Sequence, residues 1–327
     1  MSKTQINLRQ GGVAWLPILP QTFYGWRAYS LTKLIIVCKD CPEIIIMITL
    51  RYLIRDTGFD SREKTGILIK MKYKLLNMKN VELFNDHFQN YKTYGIPKAQ
   101  LIIADIPYNI GKNAYGSNPA WYIDGDNSNG ESNLAGKEFF DTDKDFRISE
   151  FLHFCSKMLI KEPKETGKAP CMIVFCEFEQ QFELIQKAKV YGLNNYINLV
   201  FRKNFSAQVL KANMRVVGNC EYGLLLYRDK LPKFNNEGRM VFNCLDWQKD
   251  TLTPKIHPTQ KPVKLLENLI RIFTDKEDVV IDPCAGSGTT LLAAAQCDRK
   301  AYGFEIKKDF YRGAKEIVLS QIQRKLF

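Results

Sequence analysis

The chain has 327 residues, 45% apolar and 25% charged, a globular mix that excludes collagen-like, low-complexity and wholly disordered chains. Lysine and arginine number 47 against 35 aspartates and glutamates, and the net charge of +12 favours a polyanionic partner, of which nucleic acid is the usual one. The most apolar stretch, residues 34–54, is interrupted by Lys39, Asp40, Glu43 and Arg51, which argues against a membrane span and a membrane partner.

Residues 1–70 carry short apolar runs without a helix or strand rhythm and read as an N-terminal extension to a catalytic domain over 71–327. The start turns polar after Met-Ser-Lys, without the apolar core and cleavage site of a signal peptide. Nine scattered cysteines, an odd count, read as reduced thiols and a cytoplasmic location. Cys38 and Cys41 form a lone C-x-x-C that lacks the second pair a structural zinc site needs, so no metal is expected. From about residue 80 the pattern becomes α/β. Near-continuous apolar runs at 101–104, 171–175, 196–201, 222–227, 278–282 and 301–304 predict strands buried on both faces. Residues 261–273 and 308–322 place their apolar positions on one face and predict helices, with Pro262 suited to a first turn. Strands alternating with helices imply a doubly wound, mostly parallel sheet. Residues 111–145 interrupt this rhythm with five glycines, Tyr115, Trp121 and Tyr122, and read as a long active-site loop. That loop is acidic, with seven Asp or Glu against three Lys, whereas residues 200–262 hold eleven Lys or Arg against five acids. The uneven surplus points to 200–256 as the region that meets a nucleic acid.

Two segments carry chemistry. In the first, the run 101–104 ends at Asp105, followed by Ile106, Pro107 and Tyr108. Ligands of open parallel sheets bind beyond the carboxyl ends of the strands. Pro107 fixes its own φ and pushes Ile106 into an extended conformation, which sets the direction of the Ile106 carbonyl. Asp105 and that carbonyl are suited to accept two hydrogen bonds from one exocyclic amino group while Tyr108 stacks on the base. Such a grip favours a more tetrahedral nitrogen with its lone pair free for an incoming methyl, and Asp105 would stabilise the positive charge that develops. Taken alone, the tetrapeptide is equally a strand-ending turn with a buried tyrosine.

In the second, Asp282-Pro-Cys-Ala-Gly-Ser-Gly-Thr-Thr290 follows an apolar strand and precedes a helix. Gly286 and Gly288 permit a positive φ and a close ligand approach. The third glycine of a dinucleotide fingerprint and the lysine of a P-loop are both missing, which disfavours a nicotinamide-dependent oxidoreductase. Glu305, seventeen residues beyond Gly288 at the end of the next strand, is placed for a ribose diol. The combination suits a nucleoside cofactor without a phosphate chain, which describes S-adenosylmethionine.

Together these segments resemble those of the amino-methylating DNA methyltransferases, which act on adenine N6 or cytosine N4. Asp105-Ile-Pro-Tyr108 resembles the catalytic D-P-P-Y motif, making Asp105, Ile106, Pro107 and Tyr108 the implied catalytic residues. Asp282, Pro283, Gly286, Gly288 and Thr289 fall in the implied cofactor loop, with Glu305 beyond it. The catalytic motif precedes the cofactor motif, similar to the permuted beta-class order. The segment 257–262, His-Pro-Thr-Gln-Lys-Pro, resembles the one that helps hold the methionine end of the cofactor, with Thr259 and Lys261 as implied contacts. The segment 82–86, ending in Asp86, resembles the one that closes over the cofactor adenine. The resemblance covers roughly 78–327 and implies a seven-stranded Rossmann-like sheet with a small DNA-recognition insert. It implies double-stranded DNA as partner and a target nucleotide flipped out of the helix. It also allows a homodimer and a partner restriction endonuclease. Adenine is favoured because the motif opens with Asp, where cytosine-directed members usually carry Ser. Two departures are Ile106, where the family has a second proline, and the segment between Arg228 and Lys255, which is short for a separate target-recognition domain.

Other residues read more plainly. His257 is a helix-approach residue rather than a general base, and His87 and His153 are packing histidines. Glu177 and Glu179 read as solvated helix-start acids. Trp247 and Phe242 are core anchors or DNA contacts. The competing functions are N4-cytosine methylation, methylation of RNA or a small amine, and a nucleic-acid binder with a decayed active site.

Overall fold

Six of the strands follow from the apolar runs. The structure, a computed structural model, describes residues 81–108, 146–204, 208–211, 216–257 and 259–324, all within the unit Ile69–Phe327. The extension 1–70, the Cys38–Cys41 pair and the loop 111–145 lie outside the described residues. In chain order the strands are β1 (Val81–Phe84), β2 (Leu101–Asp105), β3 (Cys171–Cys176), β4 (Asn195–Lys203), β5 (Gln208–Lys211), β6 (Val216–Gly218), β7 (Cys220–Tyr227), β8 (Cys244–Trp247), β9 (Val279–Asp282) and β10 (Lys300–Phe304). The helices are α1 (Ile148–Met158), α2 (Gln180–Val190), α3 (Val263–Phe273), α4 (Thr289–Gln296), α5 (Lys308–Gly313) and α6 (Ser320–Arg324). A 3-10 helix spans Phe88–Tyr94, and a π-helical turn, Ala314–Val318, joins α5 to α6.

Eight strands form the main sheet in the order β1-β10-β9-β2-β3-β7-β4-β8, and β5 and β6 form a separate hairpin. All pairings in the main sheet are parallel except those of β7, which runs antiparallel to β3 and β4. The sheet is therefore mostly parallel, as expected, but has eight strands where the resemblance implies seven. The six predicted runs form the inner strands, and neither edge strand was among them: β1 lies at one edge and β8, from the segment 200–256, at the other. Strand β8 escaped the reading because Cys244-Leu-Asp-Trp247 is short and largely exposed, without the apolar run of a central strand. Strand β7, from the same segment, lies inside the sheet.

Side chains alternate between two cores. Leu101, Ile103, Ile173, Phe175, Leu225 and Val280 pack on the face covered by α3 and α4. Ile102, Ala104, Met172, Val174, Leu224 and Ile281 pack on the face covered by α1 and α2. This is the period-two alternation of a strand, with both faces buried because helices cover both. Helix α3 buries Val263, Leu265, Leu266, Leu269, Ile270 and Phe273 on one stripe. It begins two residues later than its periodicity predicts. Pro262 takes the N-cap position in an extended conformation, and Asp250 Oδ2 accepts the Val263 N–H at 3.2 Å. The predicted helix over 308–322 is present but divided by the π-helical turn.

Candidate active site

The chain leaves β2 through α1 toward β3, and leaves β9 through α4 toward β10, in opposite directions along the sheet. Strands β2 and β9 are parallel neighbours, so their carboxyl ends open into one crevice at a topological switch point. Asp105 ends β2 and Asp282 ends β9, which brings the two sequence motifs to one edge. By the alternation above, both carboxylates project toward the α3 face.

On the β2 side Asp105 pairs with Lys261, Oδ2 to Nζ at 2.6 Å. Its other oxygen, Oδ1, is buried and has no hydrogen-bond partner among the described residues. Burial pushes the Asp105 carboxyl above its ordinary range, and Lys261 opposes this. Ile106 is buried, and its N–H donates to the Phe175 carbonyl at 3.3 Å, a bond that a second proline would forgo. The Pro107 carbonyl accepts from Gln180 Nε2 at 2.8 Å, and Gln180 Oε1 takes the Glu177 N–H at 2.9 Å. Tyr108 donates its hydroxyl to Glu221 Oε2 at 3.1 Å, and burial, with Asp105 and Glu221 nearby, raises its pKa well above the ordinary value.

On the β9 side Asp282 Oδ1 accepts the Cys284 N–H at 3.0 Å, and burial lifts its carboxyl to about 7. Gly286 and Gly288 hold φ of 50° and 75°, a region that penalises any side chain. Pro283, Gly288 and Thr289 are buried beneath the turn. Glu305, 8% exposed, takes the Gly286 N–H on Oε2 at 2.8 Å and the Lys307 N–H on Oε1 at 2.7 Å. Burial raises its pKa, against these two amides. Each oxygen keeps a second lone pair, so the carboxylate is held in place and still able to accept from a diol. A positive-φ turn and a fixed carboxylate fit a nucleoside group.

The segment 257–261 joins the two sides. A side chain at Gly286 would meet the His257 ring at 3.5 Å, while Lys261 reaches Asp105. His257 Nδ1 faces the Thr259 N–H at 3.3 Å and the Thr259 hydroxyl at 3.1 Å. Burial, with Lys261 and Lys307 nearby, drops the His257 pKa to about 4, so the ring is neutral at neutral pH. The resemblance gives Lys261 to the cofactor; in the structure its ammonium pairs with Asp105 and Glu221. Asp86 lies just beyond β1, where Asn85 Nδ2 donates to the Glu305 carbonyl at 2.8 Å. Its carboxylate is spent on the 3-10 helix, accepting the His87 N–H (2.7 Å), Asn90 Nδ2 (2.8 Å) and the Tyr94 hydroxyl (2.8 Å).

The sequence model of the DNA methylase family, the N6/N4 methyltransferases, matches residues 99–316. The chain belongs to this family. The DNA adenine methyltransferase YhdJ of Escherichia coli (strain K12) is 26% identical over 251 residues, 70% of this chain and 79% of that protein. YubD of the same strain is 30% identical over 157 residues, 48% of this chain and 65% of that protein. The type II methyltransferase M2.MboI of Moraxella bovis is 44% identical over 64 residues, 20% of this chain and 22% of its own length. This DNA methylase thus spans somewhat under two thirds of YubD and about a fifth of M2.MboI. Two solved structures share the fold. The M1.HpyAVI–SAM complex has a TM-score of 0.51 at 20% identity, over 72% of this chain and 97% of its own. The cytosine-N4-specific PvuII DNA methyltransferase has a TM-score of 0.53 at 16% identity, over 76% and 91%.

Two polar residues beside Tyr108 and Lys261 escaped the sequence reading. Glu221 on β7 takes the Lys261 ammonium on Oε2 at 3.3 Å and pairs through Oε1 with Lys203 on β4. Glu221, Gly223 and Leu225 alternate onto the α3 face, and that period was the available signal. Trp247 resolves as a core anchor, 4% exposed and packed on Phe201, whereas Phe242 is exposed. Glu177 is only half exposed, and burial raises its carboxyl, so it is less solvated than its position after a strand suggests.

Proposed function

We propose that this DNA amino-methyltransferase is a site-specific enzyme acting on the exocyclic N6 of an adenine held out of double-stranded DNA. The observation that carries the reading is Asp105 Oδ1, a buried acceptor without a partner among the described residues, beside the Asp282–Gly288 turn. A buried carboxylate oxygen left open is costly unless a substrate N–H fills it. S-adenosylmethionine is the cofactor, and when bound it supplies a methyl group on a positively charged sulfur. Gly286, Gly288 and Thr289 would line its turn and Glu305 would accept from the ribose hydroxyls, with Asp86 and Thr259 bordering the same edge. Asp105 Oδ1 and the Ile106 carbonyl each accept one N–H of the target amine, which aims the nitrogen lone pair at the methyl carbon. The target nitrogen would take the methyl that the bound cofactor supplies, leaving a neutral thioether. The Asp105 carboxylate stabilises the positive charge that grows on nitrogen, which afterwards loses a proton to solvent. Tyr108 supplies the face on which the base stacks.

Adenine is supported by Asp105 at the first motif position and by the resemblance to an enzyme named as an adenine methyltransferase over 70% of the chain. The relatives named as type II methyltransferases support a role beside a restriction endonuclease. The test is Asp105→Ala. Methyl transfer is expected to fall by about 100-fold or more, with S-adenosylmethionine binding retained in calorimetry. Sequencing of DNA from cells expressing the intact chain should show modified adenines in one sequence context. Modified cytosines would reverse the choice of base, and loss of cofactor binding in Asp105→Ala would reassign that residue.

A further inference from the structure

We propose that Glu221 is a positioning residue for methyl transfer, setting both the Tyr108 ring and the Asp105 carboxylate through a single oxygen. The inference rests on the reading of Asp105 and Tyr108 given above. Glu221 Oε2 accepts the Tyr108 hydroxyl at 3.1 Å and faces the Lys261 ammonium at 3.3 Å. Lys261, 5% exposed, reaches on to Asp105 Oδ2 at 2.6 Å. Its ammonium lies 5.5, 5.2 and 5.6 Å from the ring centres of Tyr108, Phe175 and Trp247. Three aromatic rings and two carboxylates thus confine one cation, in an arrangement suited to hold it in one place. Behind Glu221 stands the Lys203 ammonium, itself over the Trp247 ring at 4.9 Å. The charges alternate: Asp105, Lys261, Glu221, Lys203.

The order has a consequence for the reaction. Lys261 occupies Oδ2 of Asp105, so the carboxylate has one orientation and presents Oδ1 to the amine. Glu221 keeps Lys261 from drifting and anchors the Tyr108 hydroxyl, which fixes the stacking plane relative to Oδ1. Burial disfavours the Lys261 charge, and the two carboxylates more than reverse this. Burial likewise penalises Glu221, and the two lysines hold its pKa below the ordinary value. The strands explain why the groups meet. Asp105 lies beside Phe175, Phe175 beside Gly223, and Glu221 beside Phe201. Four adjacent strands therefore deliver the acid, the glutamate and the second lysine to one face, and the approach to α3 delivers Lys261.

The test compares Glu221→Gln, Glu221→Asp and Asp105→Ala in the full chain with a DNA substrate and S-adenosylmethionine. Glu221→Gln is expected to lower kcat by roughly 10- to 100-fold, the scale of an ångström of misplacement. The dissociation constant for S-adenosylmethionine and the KM for DNA should change less than threefold. The acid limb of the kcat–pH profile should move to lower pH, because Glu221 is a like charge that raises Asp105 and its removal leaves Lys261 to Asp105 alone. Glu221→Asp keeps the charge but shortens the reach, so kcat should fall without movement of that limb; it answers the question if the Gln variant does not fold. Wild-type kcat in both Glu221 variants, with Asp105→Ala inactive, would overturn the role of Glu221 and leave the function intact. Full activity in Asp105→Ala would overturn the function and this inference with it.

Discussion

Asp282 shows how far a single residue's environment departs from its sequence. Its carboxyl moves from an ordinary 3.8 to about 7 because burial beneath the turn outweighs the bonds from Thr290 and the Cys284 amide. The folded chain therefore binds more protons than the unfolded one between those two values. The stability this residue contributes is complete below the lower value and is lost as pH rises through the higher. Asp282→Asn keeps an acceptor for the Cys284 N–H and removes the titration. Denaturant unfolding from pH 4 to 8 should accordingly show a shallower loss of stability with rising pH in Asp282→Asn than in the parent chain. His257, held near 4 against an ordinary 6.5, adds an opposite slope between those values, but it does so in both proteins and cancels in the comparison.

At the scale of elements, the approach to α3 matters most. Its amphipathic stripe drives its packing, but the first turn is organised from outside the helix. Asp250 Oδ2 takes the Val263 N–H, and Oδ1 takes the Leu252 and Thr253 N–H groups at 2.9 and 3.0 Å. This fixes both ends of the segment that carries His257, Thr259 and Lys261. Asp250→Ala should cost about 1 kcal/mol of stability, the worth of a helix N-cap, measured by urea unfolding. It should also weaken methyl transfer through Lys261, whose reach to Asp105 depends on where α3 starts. The reversed strand β7 is the second decisive element. A parallel strand there would still alternate, but only the antiparallel direction puts Glu221 at the same sheet edge as the end of β2.

For the whole molecule, the excess of +12 argues for phosphate contacts as the main source of DNA affinity, although Lys203, Lys233 and Lys261 of the basic segment 200–262 are held in internal ion pairs. The logarithm of kcat/KM for DNA should fall linearly with the logarithm of salt concentration, while the affinity for S-adenosylmethionine stays nearly flat. Kinetics at a series of potassium chloride concentrations would check this; a flat response would remove electrostatics from the DNA contact. No helix among the described residues is long and apolar enough to cross a membrane.

Sequence by itself determined the doubly wound class, because buried central strands read as unbroken apolar runs and the α3 stripe has a clear helical period. It also determined the two chemical segments, since Asp105-Ile-Pro-Tyr108 and the Asp282–Gly288 turn are each contiguous in the chain. Only tertiary structure decided their company. Lys261, Glu221 and Lys203 lie on separate elements, and their pairing with Asp105 depends on strand order and on the reversed direction of β7, neither of which leaves a local period. Short edge strands such as β8 were illegible for a related reason: with one side of the ladder open and little side-chain burial, their residues carry no distinct apolar pattern.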